Sequence, residues 1–238
     1  MDWCVAIGAY DNYIFDLYGT LIDIKSDEKS LKTWKKWCEW LDANSIRHAH
    51  YFIFKLQFFR RDRLYRRKKI KSGISKTPEI DVIDIYKELL LKYGNENLSE
   101  ELIYEAAYQF RAASREYIGL MEGTEELLTG LHNTNKRLYI LSNAQASYTY
   151  PEIKLLGLDK YMDDIIISSD YGWMKPDVKL FELILNKHNM DRKRTVMVGD
   201  SIDSDIAGAK KARIASIHFN SRNICECVMQ KYKEKYSK

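Results

Sequence analysis

The sequence predicts an α/β fold: a doubly wound parallel sheet with an all-helical block inserted after its first strand. Three observations predict it. From Gly123 onward, short and almost wholly apolar runs alternate with helical patterns, as in a parallel sheet covered on both faces. Between about Leu31 and Tyr117, apolar residues recur at helical spacing and no strand stands out. The β-prone run Tyr13-Ile14-Phe15 precedes that block and must join the later sheet.

The elements follow in order. Tyr13 to Phe15 stops at Asp16, and Gly19 permits a turn that other residues would strain. In the inserted block, Leu31, Trp34, Trp37, Trp40 and Leu41 mark one apolar helix face, and Val82, Ile85, Tyr86, Leu89 and Leu90 another. Gly94-Asn95 breaks the pattern, and Ser99 restarts a helix. Thr124 is expected to cap a helix over Glu125 to Leu131. Strands are then expected at Leu138–Leu141, Ile165–Ile167, Thr195–Val198 and Ala215–Phe219. Helices are expected between them at Pro151–Leu156, Val178–Asn186 and Ile206–Ala212. The expected division is a core of residues 1–24 and 119–238 with a helical domain of 25–118.

Composition narrows the class. With 238 residues, 45% of them apolar and 30% charged, the chain can build a sizeable globular core. A formal charge of +4 is too modest to point to nucleic acid. No apolar run approaches the roughly 18 residues of a membrane helix, and no basic residue precedes Lys25, so a cytoplasmic protein without membrane partners is expected. The four cysteines, Cys4, Cys38, Cys225 and Cys227, do not make a disulfide framework. Cys225 and Cys227 lack a second Cys/His pair that would complete a zinc site.

Chemistry is expected where strands end, because ligands of open parallel sheets bind just beyond the carboxyl ends. The first strand ends at Asp16, the next at Ser142-Asn143; the third is followed by Lys175-Pro176, and the fourth runs into Gly199-Asp200 with Asp205 beyond. Together they gather carboxylates, a hydroxyl and a cation around one crevice. A carboxylate nucleophile is repelled by an anionic phosphate ester; Mg²⁺, which prefers oxygen ligands, removes that repulsion. Lys175 would add a fixed positive charge, and Ser142 with turn amides near Thr20 and Asn143 would donate hydrogen bonds to the oxygens of such an ester.

These segments resemble the four motifs of the haloacid dehalogenase-like hydrolases. Phe15-Asp16-Leu17-Tyr18-Gly19-Thr20-Leu21 resembles the first, Leu141-Ser142-Asn143 the second, Lys175-Pro176-Asp177 the third, and Val198-Gly199-Asp200-Ser201 through Asp205 the fourth. The inserted block resembles the helical cap of that family. The resemblance implies a Rossmann-like core, Asp16 as covalent nucleophile with Tyr18 and Lys175 beside it, and a small anionic substrate held by Thr20, Ser142, Asn143 and Lys175. It also implies Mg²⁺ on Asp16, Asp200, Asp205 and the backbone carbonyl of Tyr18. Asp203 competes with Asp205 for that place and ranks lower, because the matching family position is Asp205.

One position departs from the phosphatase pattern. Phosphatases resembling this chain carry an aspartate two residues after the nucleophile, as general acid and base; here the residue is Tyr18. Tyrosine there resembles the 2-haloacid dehalogenases, whose departing halide needs no proton. The Gly199-Asp200 pair and Asp205 point back to a metal site, which the dehalogenases lack. A Mg²⁺-dependent phosphatase is therefore the leading expectation, a dehalogenase the alternative, and a non-catalytic phosphate-binding protein the third.

The remaining features have plainer readings. The basic run Arg60, Arg61, Arg63, Arg66, Arg67, Lys68, Lys69 and Lys71, facing only Asp62, is read as a solvated helix face rather than a nucleic-acid site. The tryptophans Trp34, Trp37 and Trp40 are read as packing of the helical block, and His48 and His50 as surface or cap residues.

Overall fold

The computed structural model describes residues 10–73 and 75–236, with side chains through Gln230. Cys4 and the rest of the first nine residues, counted above with the core, lie outside the described residues.

Strand β1 (Asn12–Phe15) is buried along its whole length, as an apolar run covered on both faces must be. A second strand, β2 (Ile22–Ser26), follows the Gly19 turn. Helix α1 (Leu31–Ala43) begins at Ser30, whose hydroxyl accepts the Lys32 amide. Helix α2 (Tyr51–Lys71) carries the basic run. Helix α3 (Val82–Lys92) is capped by the Asp81 carboxylate, and α4 (Glu100–Ser114) starts at Ser99, where the sequence restarts a helix. Among the described residues, 31–114 hold no strand. Strand β3 (Arg115–Leu120) then pairs antiparallel with β2.

The alternating half follows: α5 (Thr124–Asn133), β4 (Arg137–Ser142), α6 (Ala146–Leu155), β5 (Asp164–Ile167) and the single turn α7 (Ser168–Tyr171). It continues through α8 (Val178–Lys187), β6 (Thr195–Gly199), a π-helical turn at Ile202–Ile206, α9 (Ala207–Ala212), β7 (Ala215–His218) and α10 (Ile224–Tyr236). The five core strands form one parallel sheet in the order β5-β4-β1-β6-β7. Strand β1 sits at its centre, where the order reverses, so its carboxyl end opens on the crevice that such sheets use for ligands.

Side chains leave the central strands with period two and build one core on each face. Tyr13, Phe15, Ile140 and Val198 face Leu127 and Leu131 of α5 and Val228 of α10. Ile14, Tyr139, Leu141 and Met197 face Leu180, Phe181 and Ile184 of α8. A third, aromatic core joins α1 to α4 through Trp34, Trp37, Phe54, Phe58, Tyr86 and Phe110. Trp37 stacks on Phe54 with ring centroids 5.2 Å apart and donates its indole N–H to the Ala106 carbonyl at 2.8 Å. Replacing Trp37 with Ala should therefore cost about 3–5 kcal/mol, read from the denaturant midpoint. A loss below about 1 kcal/mol would mean the block packs around something else.

Several local expectations need correction. Thr124 is not the N-cap of α5: that place belongs to Gly123, at φ +82°, and the Thr124 hydroxyl donates instead to the Leu21 carbonyl at 3.1 Å. Helix α6 starts at Ala146 rather than Pro151, which lies inside it. Its first turn is held from outside: the Ser169 hydroxyl accepts the Ala146 amide at 2.9 Å, a long-range bond that local patterns do not reveal. The β2–β3 ribbon was not expected either, since its strands pair across the whole insertion, and it spans both expected domain boundaries. Helix α10 also goes beyond the elements expected from the sequence.

Candidate active site

The site grows from the ends of β1 and β6. Beyond β1 the Asp16 amide donates to the Val198 carbonyl at 2.9 Å, which fixes the residue at the sheet edge. The chain then turns tightly, with the amides of Leu21 and Ile22 both returning to the Leu17 carbonyl. Gly19 adopts φ +85°, and a Cβ there would lie 2.6 Å from the Asp200 carboxylate. Only glycine meets both demands. Thr20, fully buried, donates its hydroxyl to Asp200 at 3.3 Å.

After β6, Ser201 caps the π-helical turn and its amide donates to Asp205 at 3.1 Å. That turn swings Asp205 back under Gly199, where any side chain would collide with the carboxylate. Asp16, Asp200 and Asp205 thereby offer carboxylate oxygens within 4.8 Å of one another. Asp203, the weaker candidate, is exposed and outside this cluster.

Lys175 completes the group. Its ammonium is buried and donates to Asp16 and to Asp205, each at 2.6 Å. Burial pulls its pKa down, but the two carboxylates outweigh burial and hold it above the ordinary lysine value. Burial pushes the Asp205 carboxyl up and Asp16 adds to the rise, while Lys175 opposes it. The lysine backbone is clamped by Asn143, whose side chain accepts the Lys175 amide at 2.7 Å and donates to its carbonyl at 3.0 Å. Ser142 ends β4 as a buried residue, and its hydroxyl bonds no other described residue. Three carboxylates against one ammonium leave an excess of negative charge, a hard-oxygen donor set that suits a small dication.

Tyr18 leaves this cluster. Its phenol donates to Glu152 at 2.5 Å and lies 3.1 Å from the Thr149 hydroxyl. Burial, reinforced by the Glu152 carboxylate, holds the phenol well above its ordinary pKa. Glu152 is fully buried on α6 and also accepts Arg111 at 3.1 Å and Arg115 at 3.0 Å, from α4 and β3. Arg111 reaches Glu28 at 2.8 Å and lies over the rings of Tyr18 and Tyr148, 5.3 and 4.9 Å from their centroids. Sequence reasoning missed Glu152, Arg111 and Arg115. Nothing in their local sequence marks them, because the partners lie about 40 residues apart and meet only through the fold.

The other singled-out residues lie apart from the acidic cluster. His48 bonds Asp42 and the Ala49 carbonyl, and Cys225 and Cys227 are buried free thiols. Within the basic run, Arg61 pairs with Glu88 and Arg66 with Asp62 and Glu79, while Arg60, Arg63, Arg67, Lys68 and Lys71 are exposed. No described helix is long and apolar enough to cross a membrane.

The chain resembles known proteins in sequence and in fold. A family described as haloacid dehalogenase-like hydrolase matches residues 61–219. A glyceraldehyde 3-phosphate phosphatase from Methanothermobacter thermautotrophicus is 31% identical over 98 residues, which cover 41% of this chain and 43% of the relative. The first curated relatives are thus matched over less than half of their own length. A phosphoglycolate phosphatase from Agrobacterium fabrum is 26% identical over 204 residues, 86% of this chain and 78% of the relative. The crystal structure of a 2-haloacid dehalogenase from Pseudomonas syringae superposes with TM-score 0.63 at 18% identity, covering 95% of this chain and 99% of the other.

Proposed function

The chain belongs to the haloacid dehalogenase-like hydrolases, and we propose that it is a Mg²⁺-dependent phosphatase of a small phosphorylated metabolite, working through an aspartyl-phosphate on Asp16. In this reading residues 1–24 and 119–238 form the catalytic core and 25–118 the cap. The observation that carries it is the buried Lys175 ammonium bridging Asp16 and Asp205, with the Asp200 carboxylate within reach.

Asp16 and Asp200, with Asp205 and the Tyr18 carbonyl, would hold the metal, which when bound neutralises charge between nucleophile and phosphate. An Asp16 carboxylate oxygen attacks phosphorus, the bond to the leaving oxygen breaks, and a carboxyl–phosphoryl anhydride forms. Lys175 keeps Asp16 aimed and offsets phosphoryl charge. The Ser142 hydroxyl and the turn amides around Thr20 and Asn143 would donate to phosphoryl oxygens. Asn143 also fixes Lys175 by its backbone.

Tyr18 sets the pace. Its phenol is committed to Glu152 and is kept protonated, so it supplies no base for the water that must cleave the anhydride. General acid–base help is worth ~10²–10⁴-fold, so turnover should be slow and should favour good leaving groups such as aryl or acyl phosphates. The same tyrosine is what favours the alternative, a 2-haloacid dehalogenase; the three-carboxylate cluster argues against it. A panel of phosphomonoesters with and without Mg²⁺, run beside 2-haloacids, separates the readings. Phosphate release that needs Mg²⁺ is expected. Metal-independent halide release establishes the dehalogenase, and neither activity leaves a phosphate-binding protein.

A further inference from the structure

A cavity of about 230 Å³ lies between the helical block and the core, and Asn143, Ala144 and Gln145 of the loop after β4 form one side. It adjoins the reacting group twice over. Asn143 clamps Lys175, whose ammonium sits on Asp16. Tyr148, on the cavity wall, shares the Arg111 guanidinium with Tyr18.

Five flat rings line it, Phe58, Phe59, Tyr86, Phe110 and Tyr148, beside charged and amide side chains. The charges are already paired, Arg66 with Asp62 and Glu79, and Glu28 with Arg111. Two polar groups are left over. The hydroxyls of Tyr86 and Tyr148 bond no other described residue, although Tyr86 is only 1% exposed. Neither oxygen is sealed from solvent, so both open on accessible space and are free to donate to a bound group. Burial, with Glu28 close by, keeps both phenols far above their ordinary pKa, so they remain donors.

We propose that this cavity receives the leaving group of the substrate, and that the leaving group is a neutral alcohol bearing one aromatic ring with a hydrogen-bond acceptor. The proposal rests on the phosphatase reading. Size limits the ring count: a cavity of roughly 150 Å³ takes benzene, so 230 Å³ takes one ring and a few atoms more. The rings select a flat face, and the two phenols select an acceptor on its edge. Charge disfavours acids: Glu28, Asp62 and Glu79 outnumber their partners Arg66 and Arg111, so a leaving group with its own carboxylate or second phosphate is repelled.

The test compares pyridylmethyl phosphate, benzyl phosphate and phosphoglycolate in the full chain with Mg²⁺. Acetyl phosphate serves as the substrate too small to need the cavity, and calorimetric titration of free pyridylmethanol reads binding without turnover. The expected KM for pyridylmethyl phosphate is at least about tenfold below that for phosphoglycolate. Tyr86→Phe and Tyr148→Phe should each shrink the advantage of the pyridyl over the benzyl ester roughly fivefold, the worth of one hydrogen bond, and should weaken pyridylmethanol binding alike. Acetyl phosphate turned over while the ring esters show a KM no lower than that of phosphoglycolate, or while both variants bind pyridylmethanol as tightly as the unmodified protein, overturns this proposal alone. Acetyl phosphate left intact overturns the phosphatase reading and the leaving-group assignment with it.

Discussion

Replacing Asp16 with Asn should lower phosphatase turnover by at least about 10³-fold, because an amide at this position cannot form the aspartyl-phosphate. Removal of a nucleophile in comparable covalent hydrolases costs as much or more. Asp205 is held by Lys175 and the Ser201 amide, and Asp200 takes the Thr20 hydroxyl. The variant should still fold, since Asn keeps the shape of Asp and Lys175 retains Asp205 as a partner. Turnover measured beside a denaturant curve checks both halves. Retention of more than about a tenth of the activity would remove Asp16 from the nucleophile's role.

Lys175→Met should strongly destabilise the fold. The ammonium is enclosed by two carboxylates at 2.6 Å, and its removal leaves Asp205, fully buried, beside Asp16 with no cation between them. Breaking a buried pair by deleting one partner typically costs about 3–5 kcal/mol. The loss should be smaller with Mg²⁺ in the buffer, because a ligand of the folded state adds stability by mass action and the variant offers it more negative charge. Urea unfolding of both proteins, with and without Mg²⁺, reads this directly. Equal losses in the two buffers would argue that the carboxylates do not form a cation site.

Much of this site was legible because its residues stand at strand ends, where a run of apolar letters stops on a polar one. Asp16, Ser142 and Asp200 could be placed at strand ends without a structure, while Asp205 ranked above Asp203 only through the resemblance. What the resemblance could not supply was the reason: a π-helical turn carries Asp205 back under a glycine that has no side chain to obstruct it. The Tyr18–Glu152–Arg111 network was illegible. Its members come from β1's loop, α6 and α4, and an Arg in a last helical turn or a Glu after a proline looks like ordinary surface charge. Thr124 misled for a similar reason. Its hydroxyl had a local use as a cap, but a long-range carbonyl, Leu21, claims it. Tyr18 was seen as a departure, and the structure adds where its phenol goes.

The central claim is a covalent bond between phosphorus and Asp16, formed faster than it is broken because Tyr18 gives the attacking water no base. The direct measurement is an acid quench of the protein with acetyl phosphate and Mg²⁺, followed by mass analysis of the peptide containing Asp16. The account predicts one phosphoryl group on Asp16, present in a large fraction of molecules at steady state and absent from Asp16→Asn. An unmodified peptide during active phosphate release, or an ester of Asp16 formed from a 2-haloacid without metal, would contradict it.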